Sequence, residues 1–274
     1  MNILFKTSLL FLAFISLSGA NEWLFYKSYP WVYDNKSKDW LFLKAGNDGK
    51  IYAYRNSTRE WGEFSKLLQY ATEDDIWNDN YEEWSKNPEK YGGLEVLERI
   101  KEAKENNATE LLIMTETPIL DISPLSGLKN LSKVTIGGTI HEFSDLTPLA
   151  NLTNLSELLI TGSNITQLAP LTNLSNLTKL GIEYCNSLTD ISPIAEITGL
   201  KMLILRSTSV SDISALSSLI NLTEIYMPGM TVSDITPLTN LVNLQILTLN
   251  FTGSQKSTLE AALPNLTLYD LENE

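Results

Sequence analysis

Leucine and isoleucine recur on a fixed beat from about residue 107 to the end of the chain. The phrase is Leu-x-x-Leu-x-x-Leu-x-Ile. It appears as Leu152, Leu155, Leu158 and Ile160, again as Leu174, Leu177, Leu180 and Ile182, and again as Leu241, Leu244, Leu247 and Leu249. Its last two apolar residues are two apart, the period of a strand with both side chains inward. Seven strands are predicted, near 112–114, 134–136, 158–160, 180–182, 203–205, 225–227 and 247–249, with a last partial one near 269–271. Between the phrases stands Asp-[Ile/Leu]-[Ser/Thr]-Pro-[Leu/Ile], at Asp121, Asp145, Asp190 and Asp234, with in-register variants at Gln167 and Asp212. Successive starts differ by 24, 22, 23, 22 and 22 residues. The Ser/Thr-Pro step predicts a one-turn helix, capped by Ser123, Thr147, Ser192 and Thr236 with Pro at its first position. No unit can bury its Leu face alone, so the units must stack with their strands parallel. The expected fold is an α/β solenoid, a horseshoe with its parallel sheet on the concave face.

The flanks carry different patterns. Leu94, Leu97 and Ile100 form a helical apolar stripe, so residues 64–106 are read as helical, with Leu94–Lys104 laid over the first repeat as an N-terminal cap. A short helix is expected over Ser257–Leu263 before a degenerate last repeat. Five of the eleven Tyr and four of the six Trp lie between 23 and 61. Val32–Trp40 echoes Ala53–Trp61 at a period of 21 residues, each as strand, polar turn and strand, with Asn47-Asp48-Gly49 as the turn between. A small antiparallel sheet of aromatic hairpins is expected there. The division predicted is 1–20 signal peptide, 21–63 aromatic hairpins, 64–106 helical linker and cap, and 107–274 repeats with a degenerate C-terminal cap.

The repeat spacing resembles the 22-residue leucine-rich repeat of bacterial internalins and of a eukaryotic protein phosphatase-1 regulatory subunit. That resemblance implies a curved solenoid whose concave strand face binds a protein or glycan, and no catalysis. The chain departs from internalins in lacking an immunoglobulin-like domain and a wall-sorting tail, and in its aromatic segment before the cap. Host-cell invasion is therefore not carried over. The aromatic hairpins resemble hairpin repeats of bacterial surface proteins, wall-binding ones included.

The first twenty residues read as a cleavable secretory signal: Lys6, an apolar run over Leu9–Ile15, and Ser18-Gly19-Ala20 before a cut after Ala20. The run is too short to span a bilayer, and no later stretch is apolar enough. The mature chain is expected to be secreted, periplasmic or at the cell surface, with no membrane span. Hydrophobic residues make up 43% of the 274 residues, enough for a core, and the net charge of −13 argues against nucleic acid as partner. One Cys and one His exclude an intrachain disulfide and paired-histidine catalysis.

No catalytic, metal or cofactor residue is expected. Cys185 shares a repeat position with Thr117, Thr139, Ser163, Thr208 and Thr252, and reads as a buried member of an inward polar ladder. His141 sits in a two-residue expansion without a partner His or Cys. The stacked Asp121, Asp145, Asp190, Asp212 and Asp234 could suggest calcium, but self-bonding within each turn is favoured. Asn-x-Ser/Thr at Asn130, Asn151, Asn154, Asn173, Asn176, Asn221 and Asn265 is read as turn chemistry rather than glycosylation.

The strand positions between inward residues define the candidate binding face. The middle column is Ile113, Thr135, Leu159, Gly181, Ile204, Tyr226 and Thr248. The next is Thr115, Gly137, Thr161, Glu183, Arg206, Pro228 and Asn250. Glu183, Tyr184, Ile204, Arg206, Tyr226 and Phe251 gather in the C-terminal half, an aromatic-plus-arginine composition suited to a binding hot spot. The alternative is an ordinary strand surface. In the hairpins Trp31, Trp40, Tyr54 and Trp61 could stack on sugars, against the alternative of a mini-core in which the aromatics pack on one another. The expected function is an exported binding module recognising a protein through its concave face. The alternative is a structural or adhesive envelope component attached to polysaccharide through the hairpins.

Overall fold

The computed structural model describes residues 31–34, 39–45, 51–55, 59–63 and 73–269. The predicted signal segment, the turn at 47–49, and residues 64–72 of the expected helical stretch lie outside these. The chain divides into two compact units, Met1–Asn80 and Tyr81–Glu274.

In the first unit β1 (Trp31–Asp34), β2 (Asp39–Ala45), β3 (Ile51–Arg55) and β4 (Glu60–Glu63) form an antiparallel sheet in chain order. Helix α1 (Glu73–Trp84) follows and runs across the boundary into the second unit. The two hairpin copies read from the sequence thus become one four-stranded meander.

The second unit begins with a 3-10 turn at Pro88–Lys90 and helix α2 (Leu94–Glu105). Helix α2 buries Val96, Leu97, Ile100 and Ala103 and packs on the first repeat. Arg99 donates to the Leu112 carbonyl and Lys104 to the Gly127 carbonyl. Just ahead of it, Tyr91 bridges to Ile119, and Lys90 forms a 2.8 Å ion pair with Asp121. Eight parallel strands then form one sheet in strict chain order: β5 (Glu110–Thr115), β6 (Lys133–Gly138), β7 (Glu157–Thr161), β8 (Lys179–Glu183), β9 (Met202–Arg206), β10 (Glu224–Tyr226), β11 (Ile246–Thr248) and β12 (Thr267–Tyr269). A parallel strand order without a skipped neighbour is what a coil of near-identical turns requires. The inward Leu and Ile of every phrase are buried, and single 3-10 turns, such as Ser123–Gly127 and Ser192–Glu196, return the chain. Helix α3 (Gly253–Ala262) replaces the last such turn. Thr252 caps it, with Gln255 completing a reciprocal capping box, and it starts four residues before the expected Ser257.

Three expectations need correction. The first strand is shifted by one residue: Leu111 and Ile113 are buried while Leu112 and Met114 are exposed. Four apolar residues in a row leave the face undecided, and a one-residue slip turns every side chain over. The last strand starts at Thr267, with Leu268 rather than Tyr269 in register with Leu247. The Ser and Thr residues also do not cap their turns. The backbone N–H of Ser123, Thr147, Ser192, Ser214 and Thr236 each donates at 2.7–2.8 Å to the Asp two residues earlier. The carboxylate is the cap, as an Asx turn.

Candidate binding surface

The face of the parallel sheet turned away from the leucine core carries the exposed side chains. Register fixes its rows. One row runs Leu112, Thr135, Leu159, Gly181, Ile204, Tyr226, Thr248, Tyr269. A second runs Glu110, Lys133, Glu157, Lys179, Met202, Glu224, Ile246. Lys133 and Glu157 stand 3.7 Å apart, so the charges of the N-terminal half face one another. Ile113, placed in the middle column by sequence, is buried in the core; Leu112 takes its place, and Met114 rather than Thr115 pairs with Gly137. With Leu112 and Met114 more than half exposed, β5 puts two large apolar side chains on this face.

Glu183 and Arg206 end β8 and β9 as register partners. Tyr184 follows Glu183 at the bend, exposed, with a left-handed backbone at φ 54°. Its ring centroid lies 5.3 Å from the Arg206 guanidinium. Ile204 and Tyr226 are direct neighbours across β9 and β10, both half-buried. The Tyr226 hydroxyl donates to Glu224 at 2.8 Å, and that bond to a carboxylate raises the phenol pKa above its ordinary value. Phe251 is half-buried in the same bend column as Tyr184 but three repeats on, about 14 Å away at ordinary strand spacing. Five of the six candidates therefore fall on adjoining strands, and Phe251 stands apart. Tyr269, exposed and two strands from Tyr226 in the same row, was missed because the sequence reading set it, rather than Leu268, opposite Leu247, a one-residue slip that turns it inward. The spacing between Leu247 and Leu268 was the signal that would have found it.

The remaining candidates take structural roles. Cys185 is buried, 3.2 Å from the Ser163 hydroxyl, and burial pushes its thiol pKa up. The ladder continues to Thr208, whose hydroxyl reaches the Met230 sulfur, but Thr252 leaves it to cap α3. His141 is fully buried and stacks on Phe143. The Asp column serves its own turns, and the hydrogen bonds from Ser192 and Thr236 hold the Asp190 and Asp234 carboxyls below the usual range. The side-chain amides of Asn154, Asn176 and Asn221 each donate to a carbonyl of the preceding repeat, so these three already have a structural use.

In the first unit, register brings the four stacking candidates to one face. Trp31, Phe42, Tyr54 and Trp61 form a single row across all four strands, and Tyr33 pairs with Trp40 two positions along. Tyr52 falls on the same face. Val32, Leu41, Leu43, Ile51 and Ala53 occupy positions of the other.

Among the described residues, no helix is long and apolar enough to cross a membrane. No protein-family model matches the chain, and neither does any curated protein. Solved structures do. An internalin (inlF) of Listeria monocytogenes aligns over 66% of this chain and 57% of its own, at 28% identity and a TM-score of 0.54. A second from that organism (inlC2) aligns over 64% of this chain and 85% of its own, at 25% identity and a TM-score of 0.53. The chain thus spans little more than half the length of the first and most of the second.

Proposed function

We propose that this leucine-rich repeat protein of the internalin type is an exported binding module that holds a protein partner on the open face of its parallel sheet. The contact lies in the C-terminal half, through Glu183, Tyr184, Ile204, Arg206, Tyr226 and Phe251, on the face expected to be concave. One observation carries this reading: an exposed tyrosine stacked with an arginine, beside Ile204 and Tyr226, on a surface the leucine core does not use. Aromatic and arginine side chains dominate binding hot spots because they bury large areas at low entropic cost. The repeat fold is a protein-interaction scaffold, and the reading assigns no reaction to the chain. Export rests on Lys6, the Leu9–Ile15 run and Ser18-Gly19-Ala20, and places the mature chain outside the cytosol. The division of labour is residues 21–63 for attachment, 64–106 as connector and end cover, and 107–274 for binding. The test is capture from envelope and host protein extracts with residues 21–274 as bait. Arg206→Ala or Tyr226→Ala should release the captured protein; retention by both substituted chains removes the site.

A second reading is favoured by the aromatic row in the first unit. A face carrying Trp31, Trp40, Tyr54 and Trp61 at regular strand spacing suits stacking against sugar rings of an envelope polysaccharide. Co-sedimentation of the 21–274 chain with purified envelope polysaccharide should fall on Trp61→Ala and be indifferent to Arg206→Ala.

A further inference from the structure

In five successive repeats the chain leaves its strand through one residue with positive φ: Gly138, Gly162, Tyr184, Ser207 and Gly229. Three of the five are glycine, the residue that takes this conformation without penalty. A bulky aromatic there is an outlier that the fold does not ask for. The Tyr184 ring does not fill the core either, since 47% of the residue is exposed. What it does is lie beside Arg206 while its backbone N–H donates to the Arg206 carbonyl at 2.7 Å. Arg206 is itself exposed and forms no ion pair among the described residues, although Glu183 is its register partner. It is the only cation in β9, β10, β11 and β12. Glu224 pairs with Met202 at the far end of these strands, and its carboxylate is engaged by the Tyr226 hydroxyl.

Building on the reading above, we infer that the Tyr184–Arg206 pair receives one carboxylate from a partner protein. The carboxylate is an Asp or Glu side chain in a segment whose neighbouring apolar side chains rest on Ile204 and Tyr226. A guanidinium held against an aromatic face keeps its two-pronged donor edge free, and that edge matches a carboxylate. A single cation whose register partner is a glutamate, on a chain of net charge −13, suits a monoanion and not a phosphate or sulfate cluster. The cost of the left-handed tyrosine is thereby explained as preorganisation of Arg206 before the partner arrives.

The test uses the 21–274 chain and a displayed library of random twelve-residue peptides. Peptides retained after selection should share an Asp or Glu flanked by apolar or aromatic residues. Titrated singly, the best peptide should lose at least about tenfold in affinity on Arg206→Gln, and by a similar factor when its acid is changed to the amide. The two changes together should lose little more than either alone. Tyr184→Gly should weaken binding by a similar factor while leaving the thermal midpoint unchanged or higher; a fall of more than about 4 °C marks a structural tyrosine and overturns the inference. Peptides rich in Lys or Arg, or ones that ignore Arg206→Gln but are lost on Tyr226→Ala, overturn the carboxylate and leave the binding face standing. Absence of enrichment, or peptides indifferent to all three substitutions, overturns both.

Discussion

His141 Nδ1 accepts from the Ile119 N–H at 3.3 Å, which places its ring proton on Nε2, a buried atom without a hydrogen-bond partner among the described residues. Burial holds its pKa below 6.5, with the Gly137 carbonyl working the other way. The unfolded imidazole takes up a proton near 6.5 while the folded one does not. Its share of stability is therefore complete above that pH and declines as the pH falls below it, by at most about 1.4 kcal/mol per pH unit. Thermal midpoints measured from pH 7.5 to 5 should drop for the native chain. His141→Gln, which keeps an acceptor but cannot charge in that range, should flatten the profile. The Asp121, Asp190 and Asp234 carboxyls, all held below their ordinary pKa, act in a separate window. Their contribution is present above the unfolded value and lost as the pH falls toward the folded one. For Asp121 burial opposes that shift, and the bonds from Lys90 and Ser123 overcome it. Cys185 makes a simpler case. With its thiol buried and its pKa raised, a thiol reagent at pH 8 should label the native chain negligibly and the denatured chain fully.

At the scale of the repeat, side chains on the turns tie each unit to the one before. Asn154, Asn176, Asn221 and Asn243 donate from their amides to the carbonyls of Lys129, Thr153, Thr198 and Ile220. The series is interrupted at Gly199, where a Cβ would lie 3.4 Å from the Ser175 carbonyl, the acceptor that the pattern assigns to this position. Gly199→Asn should complete the ladder and restrict the unfolded chain, adding about 1 kcal/mol and raising the midpoint by about 2–4 °C. Asn176→Ala should lower it by a similar amount. A denaturation series on both variants checks the pair, and opposite signs are required. The same interval shows what sequence patterns can and cannot resolve. Strands six residues from a Leu-x-x-Leu phrase, such as β7 and β8, were legible because period two and period three agree there. β5 was misread because Leu111–Met114 is apolar throughout, so either alternate pair could face the core. β12 was misread because α3 replaces the usual return. Tyr184 and Arg206 were legible as a composition, but the left-handed bend that sets one on the other is a backbone property that no residue type announces.

The whole repeat unit behaves as a one-dimensional stack in which each turn is held by its two neighbours. β8 and β9 lie in the interior of the sheet, with Leu180, Ile182, Leu203 and Leu205 fully buried, whereas β12 has a neighbour on one side only and Leu268 is half-exposed. Opening β8 breaks two interfaces; fraying β12 breaks one. Amide exchange should therefore be slowest at the paired amides of β8 and β9, near the global unfolding limit, and fastest at Thr267–Tyr269. Leu180→Ala should cost about 3 kcal/mol and weaken protection across the whole sheet, while Leu268→Ala should cost less and act on the last turn alone. This ordering bears on binding. A site on β8 and β9 presents Tyr184 and Arg206 from the part of the stack least able to move, so little ordering is left to be done when a partner docks. If exchange at Gly181–Glu183 and Leu203–Arg206 proves as fast as at β12, the pair is not preorganised, and the strained tyrosine loses the role assigned to it.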